Sequence, residues 1–134
     1  MKIKRIAHLG IAVSDIDKAQ EFFNDKLGLS IDHEEMVDEL KTAFVPIGQT
    51  NLELVQDTNP EGVIARHIEK RGEGIQHVAY EVEDIDQALM ELKAKGVRLI
   101  DEVARPGAHG SRVAFLHPKV TNGVLTELVE YPEK

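Results

Sequence analysis

Ile6-Ala7-His8-Leu9-Gly10-Ile11-Ala12-Val13-Ser14-Asp15-Ile16-Asp17-Lys18-Ala19 is written a second time as Ile75-Gln76-His77-Val78-Ala79-Tyr80-Glu81-Val82-Glu83-Asp84-Ile85-Asp86-Gln87-Ala88. The two stretches align without a gap at an offset of 69 residues, and 7 of the 14 positions are identical. Each continues into an amphipathic segment that stops at a glycine, Gly28 or Gly96. Further along, Ala43-Phe44 returns as Ala114-Phe115 at an offset of 71. Leu52-Glu53-Leu54-Val55 returns as Thr126-Glu127-Leu128-Val129 at an offset of 74. The growing offset places small insertions in the second copy's loops. So long a period lies outside the ~20–50 residues of solenoid repeats. It reads as one module duplicated, the copies packing with approximate twofold symmetry.

The pattern inside each copy is the same. Ala7, Leu9, Ile11 and Val13 alternate with His8, Gly10 and Ala12, the period of a strand. Ser14 or Asp15 is placed to cap a helix whose apolar stripe is Ile16, Ala19, Phe23 and Leu27, with Gly28 at its stop. Strands are expected near 29–37, 41–47 and 51–56. The second copy repeats the order: a strand at about 74–82, a helix at about 84–95, and strands near 97–103, 111–117 and 124–130. The expected class is α+β: two tandem βαβββ modules with pseudo-twofold symmetry, their curved mixed sheets enclosing a metal-binding cavity. Module one covers about 3–57 and module two about 74–131, joined by a helix at about 61–71, all within one domain.

Strand parity then selects four side chains. His8 and His77 are repeat equivalents, and so are Glu53 and Glu127. Leu52 and Leu54 need burial under a helix, so Glu53 projects the other way, with the histidines. Glu127, between Thr126 and Leu128, follows a weaker version of that pattern. Two imidazoles and two carboxylates suit a divalent first-row ion such as Co²⁺, Mn²⁺, Ni²⁺, Fe²⁺ or Zn²⁺. A buried carboxylate without a cation is costly, which gives these glutamates a reason to be there. His33 lies in the polar run Asp32-His33-Glu34-Glu35 and reads as exposed.

Composition narrows the chemistry. The 134 residues hold no cysteine, which excludes disulfides, zinc–thiolate sites, iron–sulfur clusters and thiol catalysis. Asp and Glu number 24 against 16 Lys and Arg, for a net charge of −8. That balance argues against nonspecific nucleic-acid binding, which needs cations to neutralise phosphates. No segment approaches the ~20 apolar residues of a membrane span, and the N-terminal residues do not resemble a secretory signal. A cytoplasmic location is the expectation.

The module of a His-bearing strand, a helix and a Glu-bearing strand, used twice, resembles the vicinal oxygen chelate superfamily, the glyoxalase/bleomycin-resistance/dioxygenase fold. The resemblance covers essentially the whole chain. Three strings are similar to those of the methylmalonyl-CoA epimerase family within it. They are Arg71-Gly72-Glu73-Gly74-Ile75-Gln76-His77, Arg105-Pro106-Gly107-Ala108-His109-Gly110, and Phe115-Leu116-His117-Pro118-Lys119 with Gly123-Val124-Leu125-Thr126-Glu127-Leu128. The resemblance implies an isomerase that interconverts the R and S forms of a CoA thioester by 1,1-proton transfer through a metal-stabilised enolate. It implies His8, Glu53, His77 and Glu127 as metal ligands, Co²⁺ as the favoured ion, and a homodimer. Glu127, and less so Glu53, are candidates for the acid–base work. Some family members place a proposed base, a glutamate, where this chain has Thr42, and a hydroxyl is too weak a base to replace it unaided. Arg105, Arg112 and Lys119 are candidates to meet the CoA phosphates, with Lys70 and Arg71 behind them. A glyoxalase I type isomerase and a non-catalytic binder of the same fold are the alternatives. His117-Pro118-Lys119 stands where glyoxalase-like members often carry an Asp-Pro-x-Gly turn.

Overall fold

The structure is a computed structural model that describes residues 1–133. It is α+β, with eight strands and three α-helices among the described residues. The chain divides into two compact units. The N-terminal unit is His8–Gln76. The C-terminal unit runs from His77 onward and also includes Met1–Ala7. Strand β1 (Ile3–Ala12) therefore begins in one unit and ends in the other.

In the N-terminal unit, β1 pairs in parallel with β4 (Thr50–Asp57). Strand β4 pairs antiparallel with β3 (Leu40–Ile47), and β3 with β2 (His33–Val37). One face of this mixed sheet is apolar: Val13, Ala43, Val45 and Leu54 are buried against Ile16 of α1 (Ile16–Glu21). Helix α1 starts where expected. The Asp15 carboxylate accepts from the Asp17 and Lys18 amides, each at 3.1 Å. The Ile16 amide donates to Gln56 Oε1 at the end of β4, at 2.9 Å.

The helix does not end as expected. Phe22–Lys26 forms a π-helical turn, with the Leu27 amide donating to the Phe22 carbonyl five residues back. A π turn carries more residues per turn than an α turn and rotates the next residues off the stripe. Leu27, expected inward, is consequently exposed. Gly28, at φ +71°, reverses the chain, and the Leu29 amide reaches back to the Phe23 carbonyl.

Helix α2 (Val63–Arg71) matches the expected linking helix. Its first turn is capped from β4, where Asp57 Oδ2 accepts from the Ile64 and Ala65 amides at 2.9 and 3.0 Å. A Cβ at Gly62 would sit 2.2 Å from that carboxylate oxygen, so a side chain there would push the capping carboxylate aside. Ile64 packs on Ala12 and Val55, the sheet face opposite α1.

The C-terminal unit repeats the plan. Strand β5 (Gly74–Val82), which starts at the end of the N-terminal unit, pairs in parallel with β8 (Thr126–Glu130). Strand β8 pairs antiparallel with β7 (Arg112–Leu116). Helix α3 (Ile85–Ala94) buries Ile85, Ala88 and Leu89 against Val82, Ala114, Leu116 and Leu128. Asp84 caps α3, and the Ile85 amide donates to Glu130 Oε1 at 2.8 Å, the counterpart of the bond between Ile16 and Gln56.

The strand expected near 97–103 is not formed. Only an isolated bridge, Leu99 to Leu116, and the two-residue strand β6 (Arg105–Pro106) occupy that region. The cause is local. Asp101 Oδ2 takes the Phe115 amide at 2.9 Å, so a side chain replaces a backbone rung, and Pro106 has no amide to give. No helix among the described residues is long and apolar enough to cross a membrane.

Candidate metal centre

Strand register explains how each unit brings a histidine to a glutamate. In the N-terminal unit, Glu53 sits beside Gly10 of β1 and opposite Phe44 of β3, while Leu52 and Leu54 point under α1. His8 precedes Gly10 by two residues and so shares its face. His8 Nε2 lies 3.5 Å from Glu53 Oε1. Both are buried, at 3% and 8% exposure. The Phe44 ring, also buried, meets the His8 ring edge-on at 6.1 Å.

The C-terminal unit holds the same arrangement. Glu127 sits beside Ala79 of β5 and opposite Phe115 of β7. His77 Nε2 is 3.3 Å from Glu127 Oε1, and the two residues are 4% and 5% exposed. Phe115 meets the His77 ring edge-on at 5.5 Å. The repeat seen in the sequence is thus a repeated His–Glu–Phe constellation.

The spacing fits a divalent ion better than a hydrogen bond alone. A good N–H···O bond spans about 2.7–3.2 Å. Two ligand atoms each ~2.1 Å from one ion stand roughly 3.0 Å apart at a right angle and roughly 3.4 Å apart at a tetrahedral angle. The separations of 3.3 and 3.5 Å lie on either side of the tetrahedral value. Buried carboxylates next to imidazole nitrogens, with no sulfur donor in the chain, suit a divalent first-row metal.

The candidate substrate residues are differently placed. Arg105 lies on the same face as Phe115, with its guanidinium 5.5 Å from the ring centroid and its Nε 3.3 Å from Asp101 Oδ1. Arg112 points to the α3 side, where its two terminal guanidinium nitrogens donate to the Asp86 carboxylate, each at 2.7 Å. Bonding to Arg112 holds the Asp86 carboxyl below its ordinary value. Lys119 is exposed on the 3₁₀ turn Pro118–Val120, and its amide donates to His117 Nδ1 at 3.1 Å. Desolvation, then the nearby charges of Arg98 and Lys119, hold His117 below the ordinary imidazole value. Lys70 and Arg71 close helix α2.

His33 differs from its expectation. It is half-buried on β2, opposite Phe44 in register, and its Nε2 lies 2.7 Å from Glu35 Oε1. The i, i+2 spacing of His33 and Glu35 is the signal that could have placed them on one face, had the strand been read with its register.

The profile of the Glyoxalase/Bleomycin resistance protein/Dioxygenase superfamily matches residues 7–115. The mitochondrial methylmalonyl-CoA epimerase of Mus musculus is 38% identical over 130 residues, which are 95% of this chain and 73% of the mouse protein. The chain belongs to the methylmalonyl-CoA epimerase family of that superfamily. A second relative, the ethylmalonyl-CoA/methylmalonyl-CoA epimerase of Cereibacter sphaeroides, is 37% identical and is covered over 97% of its length. The crystal structure of methylmalonyl-CoA epimerase from Mycobacterium tuberculosis superposes with a TM-score of 0.93 at 39% identity, covering 98% of this chain and 90% of that one. Family membership makes the chain an isomerase of the epimerase class.

Proposed function

We propose that this chain interconverts the R and S forms of methylmalonyl-CoA by moving one proton between the two faces of the substrate's α-carbon. The observation that carries the reading is the buried His–Glu pair found once in each unit, in a chain of the epimerase family. His8, Glu53, His77 and Glu127 together would hold one divalent ion, with Co²⁺ favoured. That ion, when bound, supplies Lewis-acid stabilisation of negative charge on the thioester and carboxylate oxygens.

The protein's own side chains do the rest. Phe44 and Phe115 orient the two imidazoles and keep water from them. The α-proton is acidified by its two carbonyl neighbours but still needs a base on each face, because inversion requires removal on one side and return on the other. Glu127 and Glu53 carry the right group. A carboxylate engaged with a cation is a weak base, however, so at least one further acid–base group is required. Arg105, on the Phe115 face, is the best placed of the candidate cations to meet an anionic part of the substrate.

The test is direct. Protein purified without chelator and supplied with Co²⁺ is offered each epimer of methylmalonyl-CoA in deuterated water, and methylglyoxal with glutathione in parallel. Epimerisation with deuterium entering at the α-carbon is expected. Turnover of methylglyoxal alone would make the chain a glyoxalase-type isomerase. No bound metal and no turnover of either would make it a binder.

A further inference from the structure

On the site face of the N-terminal unit lies a second histidine–carboxylate pair. In register, His33 is opposite Phe44, and Phe44 is opposite Glu53. Glu35 is opposite Thr42, and Thr42 is opposite Val55. Residues directly opposite on paired strands share a face. His33 and Glu35 therefore stand on the face that carries Glu53, two strands away, or roughly 10 Å between backbones.

Their environment is that of working groups. His33 and Glu35 side chains are 36% and 31% exposed, so a bound molecule can reach them while part of their solvation is removed. The imidazole and carboxylate are 2.7 Å apart, a short charge-assisted contact. The His33 ring leans on Phe44 at 6.1 Å, the same phenylalanine that braces His8. The Thr42 hydroxyl donates to the Glu35 carbonyl at 2.7 Å, so the backbone under Glu35 is held from the neighbouring strand. Glu53 and His8 share this face, whereas the charged neighbours on β2 and β3 turn from it. Glu34 takes the Gln20 amide on the α1 side, and Lys41 pairs in register with Met36.

We propose that Glu35 is an acid–base residue of the epimerisation, serving one face of the substrate's α-carbon, and that His33 is its positioning residue. The inference rests on the epimerase reading. In the forward step the α C–H bond breaks, its electron pair passes into the thioester enolate, and the proton becomes the O–H of the Glu35 carboxyl. In the reverse step Glu35 returns that proton to the same face. The opposite face is served by another group. Thr42 thus supports the base without acting as one.

The experiment compares wild type with Glu35→Gln, both loaded with Co²⁺, on each epimer separately in deuterated water. Stereochemistry, deuterium content and bound metal are read. Glu35→Gln is expected to lose at least about 100-fold in kcat for epimerisation, with KM and metal content unchanged. One epimer should still exchange its α-proton with retention, because one base survives. Glu35→Asp should recover part of the loss. His33→Gln should lower kcat, leave KM alone and displace the acidic limb of the kcat–pH profile. Epimerisation by Glu35→Gln within tenfold of wild type overturns the assignment. So does loss of exchange from both epimers together, or a Glu35→Gln protein that no longer binds metal. A wild type that does not epimerise methylmalonyl-CoA overturns the parent reading instead.

Discussion

The two units are copies that kept the same three residues and changed what surrounds them. His8, Glu53 and Phe44 in one are matched by His77, Glu127 and Phe115 in the other, with closely similar spacings. Beyond that core the halves diverge. Phe44 is flanked by His33, which reaches Glu35, while Phe115 is flanked by Arg105, which reaches Asp101. One copy thus gained a group that can exchange protons, and the other a cation that cannot. The repeated part is the His–Glu–Phe set, and the asymmetry lies in what stands beside each phenylalanine.

The sharpest way to break that comparison is to delete one histidine at a time. His8→Ala and His77→Ala should each lower α-proton exchange by about 100-fold or more and reduce bound Co²⁺, measured by exchange kinetics and elemental analysis. Equal losses would mean that both copies serve one centre. Full exchange in either variant would remove that histidine from the ligand set.

A smaller and unequal effect is expected from the phenylalanines. Phe44 is 2% exposed and braces two imidazoles, so Phe44→Ala should cost about 3–5 kcal/mol of stability by denaturant unfolding. Phe115 is only half-buried, and Phe115→Ala should cost closer to about 2 kcal/mol. A larger loss at Phe115 would show that its contacts with His77 and Arg105 matter more than burial.

The smallest effect concerns Arg112 and Asp86, which lie in the C-terminal unit on the α3 side. The Asp86 carboxyl titrates below its ordinary 3.8 in the folded protein because Arg112 bonds it. A lowered folded value means that the pair stabilises above pH 3.8 and that the benefit is lost as pH falls through the folded value. The pair is exposed, so the gain is slight. Arg112→Ala should leave epimerisation nearly unchanged and shift the acid unfolding midpoint only a little upward. A large rise in KM would place Arg112 in substrate binding after all.

Much of this was legible from strand parity alone. His8, Glu53, His77 and Glu127 alternate with leucines, valines and isoleucines that must be buried, so their common orientation follows from period two. The same logic would have placed Arg112, which shares parity with Ala114 and Leu116 rather than with Phe115. The His33–Glu35 pair was hidden because its five-residue strand is polar on both faces and carries little hydrophobic contrast. Leu27 was misplaced because a π turn has no local composition that distinguishes it from an α turn. The strand near 97–103 failed to form because Asp101 competes for a backbone amide of β7, a long-range event that neighbouring residues do not announce.

The division of β1 ties the first residues of the chain to its last strands. Arg5 Nε lies 2.6 Å from Glu81, which is buried in the C-terminal unit, and Ala7 packs with Ala79, Val113 and Val129. A polypeptide cut just after Gly72 would carry that arginine away and leave its carboxylate partner without the guanidinium. The first seven residues, which open strand β1, thus belong structurally to the C-terminal unit.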